Sequence, residues 1–280
     1  MATAAPALLR PYLAVFAGRF LQMLQYRAAA IAGFATQCWW GATKIMIYAA
    51  FYATAPQAAG ALSLPQVITY TWLAQALLVL APWNGDPDVA LAVRTGAVSF
   101  DRVRPVDAYA WRYAAAAAWI TARAVPRAAL MFALAGVALP LLGLGAWSWQ
   151  APADLSAAAL FVPSLALAVA LSSAFVMLIN VCVVATLTDR GINTLMMPLA
   201  IIFTGNLLPL QLFPDWARTA LFLQPFAGVF DIPFRIYFGQ LAGASAALGL
   251  ALQLGWTAVL AAAGWLWLQR VMRRLQVQGG

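Results

Sequence analysis

Residues 204–235 read TGNLLPLQLFPDWARTALFLQPFAGVFDIPFR. Most of these residues are apolar, so the segment partitions out of water. Yet Pro209, Pro214, Pro225 and Pro233 interrupt it, and Asp215, Arg218, Asp231 and Arg235 punctuate it. Its longest charge-free stretch, residues 219–230, is too short for a bilayer core, which needs about 20 residues. The surrounding chain decides how a broken apolar segment of this kind is accommodated.

The chain of 280 residues is 65% hydrophobic and 9% charged. A soluble domain carries about a quarter charged residues. Apolar runs long enough to span a bilayer recur along the chain, which predicts an all-α, polytopic membrane protein. The formal net charge is +8, but the basic residues cluster at the ends of apolar runs. There they act as topology signals, so nucleic acid is not an expected partner and membrane lipid is. Histidine and glutamate are absent. That excludes an HExxH metal site and a Ser-His pair, and no aspartate pair lies within an apolar run. No catalytic residue and no metal site is expected. Cys38 and Cys182 both fall inside apolar runs and imply neither a disulfide framework nor a zinc site. Arginine is used in place of lysine everywhere but at Lys44. With the abundant alanine, this usage fits a GC-rich bacterial genome.

Arg10 and Arg19 interrupt any leader-like apolar core near the start. Instead Leu9, Leu13, Phe16, Phe20 and Leu24 follow helical spacing, which predicts an interfacial helix over 1–27. Six spans are expected, at 28–52, 62–82, 124–145, 157–186, 192–212 and 243–268, the first pair filling 28–82 and the middle pair 114–186. The arginines assign orientation. Arg10, Arg19 and Arg27, then Arg94, Arg102, Arg104 and Arg112, then Arg190, then Arg270, Arg273 and Arg274 fall on one side. Residues 53–61 and 146–156 carry no basic residue, and 213–242 carries only Arg218 and Arg235. Both termini, including the tail 269–280, are therefore expected in the cytoplasm. Residues 213–242 must then enter and leave on the external side as a re-entrant or interfacial hairpin. Non-helical backbone at membrane depth is tolerated only against protein or a wet cavity, so the hairpin is expected to cap a pathway. Arg123 and Arg127 are expected to snorkel to the interface.

The longest polar segment is the cytoplasmic loop 83–113, WNGDPDVALAVRTGAVSFDRVRPVDAYAWRY. Its charges alternate in sign, Pro87 and Pro105 fix its shape, and Val89–Val93 predict a short helix ending near Gly96. Such a loop is either a docking element for a soluble partner or an ordinary solvated turn. Within the spans Lys44 is the one clear charge, which is costly in lipid. Lys44 either snorkels outward or lies on a pathway for an anionic group. Gln37, Asn180 and Asn206 are weaker pathway candidates that can equally bond across packed helices.

The layout resembles the membrane subunit of type-2 ABC exporters: a surface helix, six spans, a coupling loop between spans two and three, and an external hairpin between spans five and six. Two stretches carry the resemblance. In FTGNLLPLQLFPDWARTALFLQPF the matching positions are Thr204, Gly205, Pro209, Phe213, Pro214, Trp216, Pro225 and Phe226. In VRTGAVSFDRVRPV, similar to a subgroup of short permeases, they are Arg94, Gly96, Arg104, Pro105 and Val106. The hairpin departs from the family's tighter Pro-Leu-Thr-Tyr ending, with Pro225, Phe226, Ala227 and Gly228 in its place.

The resemblance implies a permease working as a pair, identical or paralogous, with two separate ATPase subunits in a bacterial inner membrane. The chain has no GxxxxGK[ST] loop to cradle phosphates, so ATP and Mg belong to the partner and this subunit is not itself an enzyme. Arg94, Asp101, Arg102, Arg104 and Pro105 are the implied ATPase-coupling residues. Pro209, Phe213, Pro214, Trp216, Pro225 and Phe226 are the implied external gate, whose Asp215 and Arg218 either cap its first helical turn or are simply solvated at a helix end. An ion-coupled secondary transporter is the main alternative. It would need discontinuous helices in both halves and intramembrane acids, neither of which is evident.

Overall fold

Aspartate and proline set where the helices begin. In the computed structural model, which describes residues 8–54 and 62–274, α1 (Arg10–Leu24) carries a proline in its first turn, where the missing N–H costs nothing. α2 (Arg27–Thr54) follows. α3 (Leu64–Ala76) opens where the Ser63 N–H donates to Gln66 Oε1 at 2.9 Å. α4 (Pro87–Arg94), α5 (Ala108–Phe132) and α7 (Leu155–Thr186) are each capped by an aspartate. Asp86 accepts from the Asp88 N–H, Asp107 from Ala110 and Asp154 from Ala157, satisfying donors that a helix start leaves open. α5 widens into a π-helical segment (Ala133–Ala138) before a last turn, α6 (Leu139–Leu141). The Ala135 carbonyl there accepts from the Trp149 N–H at 2.8 Å. α8 (Arg190–Phe203), α9 (Asp215–Leu223), α10 (Asp231–Tyr237) and α11 (Gly243–Arg274) complete the chain. No strand occurs among the described residues.

Side-chain contacts fix the direction of each helix. Tyr109, at the start of α5, clusters with Met177 and Val181 late in α7 and with Leu268 late in α11. Ser164, early in α7, donates to Gln253 Oε1 of α11 at 2.9 Å. Hence α7 and α11 run parallel, and α5 runs against both. α3 and the 3-10 turn that follows it run with α7: the Gln150 N–H meets Thr69 Oγ1 at 2.9 Å, Ser172 Oγ meets the Leu80 carbonyl at 2.5 Å, and the Asp86 N–H meets Asn180 Oδ1 at 2.8 Å. α2 runs the other way, with Gly33 against Arg127, Gly41 against Trp72, and the Tyr52 hydroxyl on the Leu62 carbonyl at 2.7 Å. α8 returns from Asn193, which accepts from the Gly85 N–H at 3.2 Å, to Gly205, whose carbonyl accepts from Tyr70 at 2.9 Å. One end of the bundle therefore carries the 83–107 loop (the loop end) and the other carries α9 and α10 (the lobe end).

Among the described residues, three helices are long and apolar enough to cross a membrane: Ala108–Leu141, Leu155–Thr186 and Gly243–Arg273. α2 matches them in length, but Gln37, Trp39, Trp40 and Lys44 dilute its apolar character. α3, at roughly 20 Å, and α8, at roughly 21 Å, fall short of a ~30 Å core. α2, α7 and α11 lie over the runs 28–52, 157–186 and 243–268. The helix expected at 124–145 begins sixteen residues earlier, at Ala108, because the alanine-rich stretch before it has high helix propensity. The helix expected at 62–82 stops at Ala76 and tightens into a 3-10 turn, Leu78–Leu80. The helix expected at 192–212 stops at Phe203, because Gly205 adopts φ +86° and the Tyr70 hydroxyl would sit 2.6 Å from a β-carbon there.

α3 is the innermost element, and every residue from Val67 to Ala76 is buried. Trp72, Leu73, Leu80, Ile120, Leu171, Phe230 and Phe234 form one core around it. Between lipid-embedded helices, close packing and buried hydrogen bonds hold the assembly rather than expulsion of water. Gln253 serves in this way: it is fully buried, and its Nε2 donates to the Ser164 carbonyl at 3.0 Å and the Gly228 carbonyl at 2.7 Å.

Candidate functional site

At the loop end, α4 forms where Val89–Val93 predict it. It stops because Gly96 takes φ +74°, a left-handed conformation that glycine adopts without strain. A 3-10 turn, Ala97–Arg102, follows. Val89 and Val98 pack with Val184 of α7 and Val271 and Met272 of α11, so the loop rests on the ends of two long helices. Two ionic clamps complete the seating. Asp101, whose side chain is 5% exposed, pairs with Arg112 at 2.5 Å and Arg104 at 3.6 Å. Arg19 of α1 reaches Asp86 at 3.1 Å and also contacts Asp88. Burial pushes the Asp86 carboxyl above the ordinary range, opposed by the Asp88 N–H and by the Arg19 guanidinium.

These contacts sort the residues read from the sequence. Arg94, Arg102, Arg104 and Pro105 are exposed. Arg104 also lies over the Trp111 ring at 4.7 Å, and Arg102 donates to the Met272 carbonyl. Asp101 faces inward, so it positions the loop and presents nothing to a partner. Arg19, on the expected interfacial helix, is turned inward by its carboxylates. Leu91, Phe100 and Val103, not among the residues expected at this surface, are 57%, 66% and 78% exposed. Apolar residues interspersed among charges in a rigid loop were the available signal. A notch of about 310 Å³ between this loop and the end of α11 is edged by Arg102, Arg104 and Arg273.

At the lobe end, Lys44 and Asn206 come together across the bundle. Lys44 Nζ donates to the Asn206 carbonyl at 2.8 Å and lies 3.5 Å from its Oδ1. The turn 204–207 is thus held by Lys44, by Tyr70 on Gly205 and by Tyr48 on Leu207 at 3.4 Å. Asn180 does not join them. It sits at the loop end and receives the Asp86 N–H, which makes it an anchor for α4. Gln37 is buried with its Oε1 unbonded.

Of the gate candidates, Pro209 is buried, and Phe213 packs on Leu210, Leu221 and Ala227. Phe226, which follows Pro225, stacks on Phe175 with centroids 4.4 Å apart. Pro214 precedes α9 and is exposed, and Trp216 is 86% exposed, so neither packs with Phe213 and Phe226. Arg218 bonds the Phe213 carbonyl at 2.8 Å and pairs with Asp215 at 2.6 Å, fastening the first turn of α9. Behind the lobe, a cavity of about 290 Å³ is bordered by Gln211, Arg218, Asp231 and Arg235. Asp231 was not singled out from the sequence, although a lone acid amid apolar residues marks it. Among the described residues no group of three or more His, Cys, Asp or Glu could hold a metal ion.

The described residues thus form an all-helical bundle in which three helices reach membrane length and the 83–107 loop is seated on the ends of two of them. The family described as ABC-2 family transporter protein matches residues 38–279, and the chain belongs to it. A comparison with curated proteins gives no match.

Proposed function

We propose that the chain is the pathway-forming subunit of an ATP-driven exporter, working in pairs with separate ATPase subunits that bind ATP and Mg. The observation that carries this reading is the loop-end surface. Leu91, Phe100 and Val103 project beside Arg94, Arg102 and Arg104 from a loop seated on α7 and α11. An apolar centre with an arginine rim is what a protein docking site needs, and guanidinium groups pair in a bidentate way with carboxylates. Movement of a docked ATPase would pass through the Asp101 clamp to α5 and through the valine cluster to α7 and α11. A nucleotide shifts the bundle only through unequal affinity for its two states.

The directions of the helices support six crossings. α7 and α11 run parallel, so the 187–242 segment between them must return across the bilayer, and α8 with the turn that follows it is the element that does so. α2 and α3 form an antiparallel pair that adds two crossings. α9 and α10 then lie at the external end as a hairpin covering the Lys44–Asn206 turn.

Val103→Glu and Arg104→Glu test the docking surface in the complex with its co-purified ATPase. Val103 is 78% exposed and takes no part in the packed core. Each variant is expected to lower cargo-stimulated ATP hydrolysis by about tenfold, equivalent to ~1.4 kcal/mol. Stimulation at the wild-type level in both variants, with the complex assembled, would overturn the assignment.

A further inference from the structure

The α1–α2 elbow and the middle of α5 enclose a groove of about 730 Å³ that belongs to neither surface described above. Its walls include Leu24, Ile31 and Leu130, and its rim holds Arg27, Arg123 and Arg127. Among the described residues, none of these arginines has a carboxylate within ion-pair distance, whereas Arg19, Arg104, Arg112, Arg218 and Arg235 all do. Arg123 and Arg127 stand one helical turn apart on α5, a spacing at which like charges repel. Arg123 lies 3.6 Å over the Trp119 ring and donates to the Trp119 carbonyl, which fixes its direction. The Nε of Arg127 is buried without any hydrogen-bond partner. Its guanidinium lies where a β-carbon on Gly33 would come within 2.6 Å, so glycine there leaves room for it. The rim therefore holds uncompensated positive charge and an unsatisfied buried donor above an apolar slot.

We infer that this groove binds an anionic phospholipid, with the phosphate between Arg123 and Arg127 and an acyl chain along Leu24, Ile31 and Leu130. A free phosphate would satisfy the arginines and leave the apolar walls empty. A zwitterionic lipid would fill the walls but set a second cation beside the arginines. Only an anionic amphiphile meets both, in keeping with basic pockets between membrane helices that take acidic headgroups.

The test is native mass spectrometry of the full-length chain, delipidated in detergent and titrated with short-chain phosphatidylglycerol, phosphatidylcholine or inorganic phosphate. Phosphatidylglycerol is expected to be retained roughly tenfold in preference to phosphatidylcholine, a preference that falls as salt rises. The Arg123→Gln/Arg127→Gln double variant should lose that preference, and the corresponding lysine double variant should keep most of it. Where the glutamine double variant does not elute as a folded species, Arg127→Gln alone is read against Arg127→Lys. Equal retention of the two lipids by the wild type overturns the inference. So does an unchanged preference in the folded glutamine variant, or displacement of the lipid by inorganic phosphate alone.

Discussion

Asp231 is a carboxylate with its side chain 1% exposed and both oxygens buried without a hydrogen bond. The groups facing it are Arg235, 3.6 Å away on the same helix, Arg218 from α9 across the shared cavity, and Tyr70 from α3. Burial raises its pKa to about 6 against the opposing pull of Arg235. The folded protein thus holds this proton more tightly than the unfolded chain does. The stabilisation is fully present below the ordinary carboxylate pKa of about 4 and is lost as pH rises through about 6. Asp231→Asn should remove that dependence, because asparagine stays neutral throughout. Thermal melts in detergent between about pH 4 and about pH 8 should fall through the middle of the range for the wild type and run flatter for the variant. Parallel profiles for the two proteins would mean that the carboxylate is ionised, and stably so, in the fold.

At the scale of elements, the loop around α4 owes its shape to one buried acid. Asp101 holds Arg112, at the start of α5, and Arg104, on the loop itself. Asp101→Ala should loosen the 94–106 segment while leaving the bundle intact. Because Arg94 and Arg102 are trypsin sites in that segment, whereas Pro105 protects the bond after Arg104, local opening is read directly as cleavage at those two residues. Losing two ion pairs on a buried partner should speed cleavage by about fivefold, equivalent to ~1 kcal/mol of local stability. An unchanged cleavage rate would show that the valine contacts alone hold the loop. The loop's helix was legible in the sequence because Asp86, Pro87 and Gly96 act only on the backbone next to them. α7 was legible because no charged residue interrupts its long apolar run. The break after Phe203 was not, since Gly205 answers to Tyr70, which is 135 residues away in the chain. The same is true of the sites. Arg94, Arg102 and Arg104 read as exposed charges and are. Asn180 read as a membrane polar group, but its role depends on the Asp86 N–H that the fold brings to it. Lys44 and Asn206 were each visible, while their bond spans 162 residues and no local pattern encodes it.

For the whole molecule, the charge distribution and the helix directions make one joint statement about the membrane. Arg94, Arg102, Arg104, Arg112, Arg190, Arg270 and Arg273 gather at the loop end, whereas the lobe end has Arg218 and Arg235, both ion-paired. Excess arginine marks the cytoplasmic side, so the loop end should face inward and the lobe outward. Single cysteines report this in a background where Cys38 and Cys182 are replaced by serine. Ser156, at the start of α7, and Phe100, on the loop, are both exposed, so cysteine at either position is reachable without disturbing the core. A membrane-impermeant maleimide on intact cells should label Ser156→Cys, and should label Phe100→Cys only after permeabilisation. The reverse pattern would invert the orientation and put the docking surface out of reach of any cytoplasmic ATPase. Labelling of both in intact cells would mean that the parallel pair α7 and α11 does not span, which removes the need for a return through α8.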